Sequence, residues 1–273
     1  MIFELLILGA VAGFTIFLGL PIARMKNASP KFKGILNAAA TGILLFLLVE
    51  VMKHALEATE DNLLEALSGK IPLQSGIIYL VLLIGGVALG LLGLVWFEER
   101  FINKRLQNKN TNDNEFSEYK SKRISIMIAI GIGLHNFSEG LAIGQSYAGG
   151  YIHLALLLVI GFGLHNATEG FGIAAPLYGF KPKWKFLSLM GLIGGGPTFL
   201  GTVIGSFWVS QAISLFFLSL AAGAIIYVIK ELLYHGRIKG DGIIVMAFLL
   251  LGFFIGFGTD LIIEFVGGYS GGL

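Results

Sequence analysis

The chain has 273 residues, of which 55% are hydrophobic and only 13% are charged. Because a soluble domain usually carries about 25% charged residues, this composition excludes an ordinary soluble domain and predicts an integral membrane protein surrounded by the lipid bilayer. The net charge of +2 argues against a nucleic-acid partner, and the absence of cysteine excludes disulfides, thiolate metal ligands and cysteine nucleophiles.

Eight apolar runs reach the roughly 20 residues that a membrane-spanning helix needs, which predicts an all-α fold. The predicted helices cover approximately residues 2–23, 34–56, 75–97, 124–147, 152–176, 185–208, 212–234 and 242–266. We therefore expect a single transmembrane domain over residues 1–273. The polar stretch between the third and fourth helices, about residues 98–123, is predicted to be a mobile cytoplasmic loop.

Lysine and arginine are distributed unevenly among the turns. Of the 19 basic residues, 17 lie in or beside the turns after predicted helices 1, 3, 5 and 7, and the exceptions are Lys53 and Lys70. Cytoplasmic loops of membrane proteins carry an excess of basic residues. The sequence thus predicts a multi-pass protein of the cell (plasma) membrane, with both termini outside.

Predicted helices 4 and 5 carry the same motif. Residues 130–144 read IGIGLHNFSEGLAIG and residues 160–174 read IGFGLHNATEGFGIA, which agree at 9 of 15 positions. Because consecutive spanning helices run in opposite directions, a pseudo-twofold axis in the membrane plane could relate the two copies. Such inverted-repeat symmetry, with binding near the midplane, is typical of secondary transporters.

Each copy places ionisable side chains in the middle of an apolar helix, which is costly and indicates a functional site. His135 and Glu139 are four residues apart, as are His165 and Glu169, so each pair shares one face of its helix. Two imidazoles and two carboxylates match a tetrahedral Zn²⁺ site and also suit other borderline divalent metals.

Asparagine and glycine accompany the two pairs. Asn136 and Asn166 lie about 100° around the helix from their histidines, where they could face a second ion bridged by the two glutamates. Gly140 and Gly170 follow the glutamates, and we expect them to allow close approach of neighbouring helices.

Further acidic and histidine side chains lie near helix ends, where they could contact a metal ion. Alternatively, they are solvated among lipid headgroups or pair with nearby lysines. They are Glu50 with His54 on predicted helix 2, Glu231 with His235 on helix 7, and Glu98 with Glu99 after helix 3.

These residues resemble the ZIP family of divalent-metal transporters (Zrt-, Irt-like proteins), whose signature is His-Asn-x-x-Glu-Gly on helix 4 with a related motif on helix 5. The resemblance implies eight helices with both termini outside and a primary metal site formed by His135, Glu139, His165 and Glu169. It also implies a neighbouring site at the two asparagines. In a pathway of this family, Glu50 and His54 would line the entrance, whereas Glu231, His235, Glu98 and Glu99 would line the exit. His-Asn in both helices is most similar to the prokaryotic GufA-like branch.

The sequence departs from the family pattern at three positions. Relatives often have proline before the glutamate, where this chain has Ser138 and Thr168. Many relatives place a glutamate before the proline of helix 6, which completes the neighbouring site, whereas here Gly196 precedes Pro197. One well-occupied metal is therefore the expectation.

The predicted function is secondary transport of a divalent transition metal into the cytoplasm, most simply Zn²⁺, with Cd²⁺, Fe²⁺, Mn²⁺ and Co²⁺ as further candidates. No G-x-x-x-x-G-K-[ST] phosphate loop is present, so ion gradients would drive transport. We expect no enzyme activity. The alternatives are a membrane-embedded metallohydrolase, although the zinc-protease motif His-Glu-x-x-His is absent, and a metal-free cation channel. The sequence leaves a homodimer open.

Overall fold

A computed structural model describes residues 2–25, 29–103, 113–207, 210–235 and 242–270. Within these ranges the chain forms eight long helices and no strand, which confirms the prediction of an all-helical protein. Seven helical segments, the first taken as Ile2–Arg24, are long and apolar enough to cross a membrane. The eighth helix is apolar over Gly242–Gly258, before the part whose side chains are largely outside the described residues.

The eight helices follow the predicted order, with ends that differ by a few residues at most places. They are α1 Ile2–Phe14, α2 Pro30–Leu67, α3 Leu73–Phe97, α4 Asp113–Ala148, α5 Ile152–Ala174, α6 Trp184–Gly205, α7 Gln211–His235 and α8 Gly242–Ser270.

The first predicted helix is interrupted. Regular α-helix ends at Phe14, and the chain continues through two tighter 3₁₀ segments, Thr15–Leu18 and Leu20–Arg24. Gly19 separates these segments, and a Cβ at this position would collide with the backbone of Phe171 on α5. The tighter winding therefore lets the end of α1 lie directly against α5.

Two helices are longer than the hydrophobic runs indicated. α2 has 38 residues, about 57 Å at 1.5 Å per residue, against a hydrocarbon core about 30 Å thick. It begins at an N-cap, because the Ser29 hydroxyl accepts a hydrogen bond from the Phe32 amide at 3.1 Å and Pro30 occupies the first turn.

α4 begins at Asp113, so the prediction of a loop is wrong for residues 113–123, and a π-helical turn, Glu98–Asn103, extends α3. Polar side chains explain the error: Glu118 and Lys122 form an i, i+4 ion pair at 2.6 Å, which supports a helix that no hydrophobic pattern reveals. The remainder of the predicted loop, residues 104–112, lies outside the described residues.

The helices pack as two groups of four. One group, α1, α4, α5 and α6, contains the two motif helices and is called the site bundle. The other, α2, α3, α7 and α8, is called the flanking bundle. The bundles meet mainly where α4 contacts α7, where α5 contacts α8 and where α2 contacts α5.

α4 and α5 are joined by a turn of only three residues, 149–151, and therefore run antiparallel as neighbours. The Gly149 amide donates to the Gln145 carbonyl and the Tyr151 amide donates to the Ser146 carbonyl, each at 2.9 Å. Gly150 has a φ of +83°, a backbone conformation that favours glycine. This connection sets the two copies of the motif side by side.

Candidate metal centre

The six motif residues predicted to bind metal lie midway along α4 and α5 and are all buried. Their exposed fractions are at most 5%: His135 4%, Asn136 0%, Glu139 5%, His165 2%, Asn166 0% and Glu169 0%. They face one another inside the site bundle. Because polar groups are expensive to bury in a lipid-surrounded core, such a cluster calls for hydrogen bonds or an ion to compensate them.

The structure brings three of the predicted ligands together. One ligand atom each from His135, His165 and Glu169 lies within 4.8 Å of the others, close enough for a small adjustment to place all three around one ion. The two imidazole ring centres are 6.1 Å apart. Glu139 does not belong to this set of three, but its Oε1 lies 3.3 Å from His135 Nε2. The corresponding distance between His165 and Glu169 is 3.8 Å.

Asn136 connects three helices around this cluster. Its side-chain nitrogen lies within hydrogen-bond distance of Asn166 Oδ1 at 2.8 Å, Glu169 Oε2 at 2.9 Å and the Gly194 carbonyl on α6 at 3.0 Å. An amide group has two hydrogens, so these three acceptors share its donors. The contact with Glu169 uses one carboxylate oxygen and leaves the other facing His165, which fixes the orientation of that carboxylate.

We expect Asn136→Ala to weaken metal binding by about 10–100-fold, the usual cost of removing a residue that orients a metal ligand. Isothermal titration of purified protein with Cd²⁺ or Zn²⁺ measures the change. Asn37→Ala is the matched control, since Asn37 is also buried but lies on α2, outside the cluster. Equal affinities in the two variants would contradict a role for Asn136 in the site.

Asn166 is held from the other side. Its side-chain nitrogen donates to the Ala12 carbonyl of α1 at 2.9 Å, while its oxygen accepts from Asn136. Both of its polar atoms are thus used within the protein. The sequence predicted that Asn136 and Asn166 could face a second ion, and that role stays a prediction.

The glycines next to the glutamates allow the close packing predicted from the sequence. A Cβ at Gly140 would collide with the Thr198 carbonyl oxygen, and a Cβ at Gly170 would collide with that of Ile16. The prediction of close helix approach is therefore confirmed. At Gly196, where relatives often have glutamate, an added Cβ would meet nothing within 4 Å.

A cavity of about 400 Å³ leads to the cluster along the boundary between the two bundles. Its wall includes the pair Glu50 and His54, which the sequence placed at an entrance, together with His135 and Glu139. His54 also lies 3.7 Å from Glu57 at the exposed rim. The sequence did not predict four other polar side chains of the wall, because isolated uncharged residues give no pattern: Ser138, Gln145, Gln211 and Ser214.

The acids predicted at the exit are engaged by arginine. At the end of the molecule where the lysine- and arginine-rich turns lie, called the basic end, Arg123 contacts Glu98 at 2.8 Å and Glu231 at 2.5 Å. Glu99 is exposed. The side chain of His235, the predicted neighbour of Glu231, lies outside the described residues. The structure therefore shows Glu98 and Glu231 paired with a basic residue, which is the alternative to a role in the metal pathway.

Comparison with known protein families gives an independent result. The profile of the ZIP zinc transporter family matches residues 98–264, which is more than half of the chain and includes both motif helices. A comparison with individual curated proteins finds no significant match. Because the match includes both motif helices, it confirms the resemblance to the ZIP family that the sequence showed. The chain belongs to the ZIP family, whose members transport divalent metal ions across membranes.

Proposed function

We propose that this protein is a secondary transporter that moves a divalent transition metal, first of all Zn²⁺, into the cytoplasm through the site on α4 and α5. The observation that carries the proposal is the buried set of His135, His165 and Glu169, whose ligand atoms lie within 4.8 Å of one another. Two neutral nitrogens and a carboxylate, with the Glu139 carboxylate nearby, provide the ligand types that Zn²⁺ prefers.

The metal would be cargo, so its ligands must be reached from one side at a time. The 400 Å³ cavity supports access from the end opposite the basic end, because it is bounded by both exposed His54 and buried His135. Glu50 and His54 would attract and partly dehydrate the ion there. With the basic end in the cytoplasm and both termini outside, as predicted, the membrane potential contributes about 2.3 kcal/mol per elementary charge per 100 mV to entry.

Rocking of the site bundle against the flanking bundle would then change access. The packing pattern supports an inverted repeat that exchanges α1 with α6, α2 with α7, α3 with α8 and α4 with α5. Under this exchange the extensive contact of α3 with α7 corresponds to the equally extensive contact of α8 with α2. The contact between α4 and α6 corresponds to that of α5 with α1 and the 3₁₀ segment after it, although the second contact is less extensive.

The ligand types limit which metals the site can bind, and experiment must rank the remaining metals by preference. Imidazole and carboxylate suit Zn²⁺, Cd²⁺, Fe²⁺, Mn²⁺ and Co²⁺, whereas the absence of cysteine disfavours Cu(I). We also propose that the protein lies in the plasma membrane and belongs to the GufA-like branch. It could act as a monomer or as a homodimer. His-Asn in both motif helices supports the assignment to that branch.

Vesicles containing the purified protein and a trapped metal indicator test the function. We expect saturable, ATP-independent uptake of Zn²⁺ and Cd²⁺ that an inside-negative potential accelerates. Competition by Mn²⁺, Fe²⁺ and Co²⁺ then ranks the metals. Uptake no greater than in protein-free vesicles, with the protein shown to be folded and inserted, would refute the proposal.

The same purified protein and vesicles distinguish the proposed transporter from two other functions. A metal-free cation channel would conduct protons or monovalent ions and contain no bound metal on elemental analysis. A membrane-embedded hydrolase would bind metal with one position open to water, yet would not move it across the vesicle membrane. Membership of a transporter family favours transport over both rivals.

A further inference from the structure

Arg123 lies where the two bundles meet at the basic end. It belongs to α4 of the site bundle, whereas Glu98 follows α3 and Glu231 lies on α7, both in the flanking bundle. Its guanidinium contacts both carboxylates, at 2.8 and 2.5 Å, and the three side chains are only 10%, 12% and 5% exposed. The Tyr227 hydroxyl also donates to Glu98. One cation on the site bundle thus joins two acids on the flanking bundle.

A layer of apolar side chains separates this ion cluster from the metal centre. Arg123 precedes His135 by 12 residues, about 18 Å along α4. The space between them is filled by fully buried residues of three helices: Leu44 and Leu47 of α2, Met127, Ile128 and Ile132 of α4, and Ile225 and Val228 of α7.

Two cavities end on opposite sides of this barrier. The 400 Å³ cavity reaches His135 and Glu139, whereas a second cavity of about 300 Å³ at the basic end is lined by Arg123, Glu231 and neighbouring residues. They share no lining residue. Within the part of the chain that the structure describes, the first cavity therefore reaches the metal centre, whereas the second ends at Arg123 and Glu231.

We propose that Arg123 acts as a latch that holds this closure, and that its contacts with Glu98 and Glu231 must break before an ion can leave towards the basic end. The inference rests on the proposed transport function. Its physical basis is that relative motion of the bundles separates the residues that Arg123 joins. Glu231 also contacts Lys230 of its own helix at 2.5 Å, so opening would leave Arg123 and Glu98 as the buried charges that lose their ionic partner. Such a loss is costly, and the intact latch therefore keeps the closed arrangement populated.

Thiol labelling tests the latch, because the chain contains no cysteine and Ile128→Cys creates a single reporter inside the barrier. The protein is placed in nanodiscs without metal, where both faces are accessible to a membrane-impermeant maleimide. We expect Arg123→Gln to increase labelling of the reporter by ~10-fold or more, because loss of one partner of a buried ion pair strongly destabilises the closed arrangement. A rate equal to that of the parent would overturn the proposal.

Three controls make the result specific. Lys122→Gln removes a neighbouring cation that, among the described residues, pairs with Glu118 of the same helix, and this change should leave the labelling rate unchanged. Lys120→Cys, in the cavity at the basic end, should react in every background. Val159→Cys, buried within the site bundle, should stay protected, since its exposure would indicate general unfolding.

If Arg123→Gln unfolds the protein, Arg123→Lys decides the question. Lysine keeps the charge but loses the planar group that reaches both acids, so labelling of Ile128→Cys must still rise above the parent rate. No rise would refute the latch. Labelling is measured without metal, so it can succeed or fail independently of uptake, and a failure of transport in vesicles would not be mistaken for a failure of the latch.

Discussion

Replacing His165 and Glu169 together by alanine is expected to reduce Cd²⁺ and Zn²⁺ uptake to the level of protein-free vesicles. The double substitution removes two of the three side chains whose ligand atoms cluster within 4.8 Å. The loss in metal affinity should exceed the roughly 10–100-fold that removal of a residue behind the ligands costs. Uptake into vesicles and titration calorimetry measure the two effects separately.

The matched control is His153→Ala with Glu115→Ala, which makes the same chemical change at two exposed positions of α5 and α4. This variant should transport like the wild type. Flux at the wild-type rate in the variant lacking His165 and Glu169 would rule out the proposed site. Flux that is lost while metal binding is kept would instead indicate that the ion binds elsewhere and that the pair serves a later step.

Gly170→Ala is expected to destabilise the protein by about 1–3 kcal/mol, the usual cost of overpacking a core. Its single added methyl group would collide with the backbone carbonyl oxygen of Ile16, and a backbone atom in a packed turn cannot move aside cheaply. α1 and α5 must therefore separate, which displaces the adjacent Glu169. Thermal unfolding in detergent measures the loss of stability, and vesicle uptake measures the effect on the site.

Gly172→Ala provides the control two residues further along the same helix, where an added Cβ meets nothing within 4 Å. Alanine has the higher helix propensity, so this variant should be as stable as the wild type or slightly more stable. Unfolding of both variants at the same temperature would contradict the prediction. It would show that the close packing of α1 on α5 does not require glycine at position 170.

The sequence was most informative where ionisable side chains stand within apolar helices. His135 and His165 stand in apolar runs where ionisable residues are rare, and the spacing of four to each glutamate assigns them to one helix face. The apolar runs sufficed to predict eight helices, and the repeated motif predicted the pairing of α4 with α5. The motif also predicted a site of four ligands, of which the structure brings His135, His165 and Glu169 together, without Glu139. The glycines next to the glutamates were also correctly assigned to close packing.

Other features depend on contacts between distant parts of the chain, which one sequence does not display. Arg123 was one of seven basic residues in an apparent loop, and nothing local indicates that it is buried against acids from α3 and α7. Residues 113–123 lack an apolar run, so their helix was missed. The polar wall of the cavity combines single residues from three helices, such as Ser138 and Gln211, that have no common spacing.

The three-residue connection between α4 and α5 limits how the ion can be handled. With so short a link, and with Asn136 bonded to Asn166 across the two helices, the segments are unable to slide past each other by a helical turn. The coordination sphere would consequently stay assembled while access to it changes from one side of the membrane to the other. Each metal would then meet the same set of ligands at capture and at release, so a metal that binds more tightly would also be released more slowly.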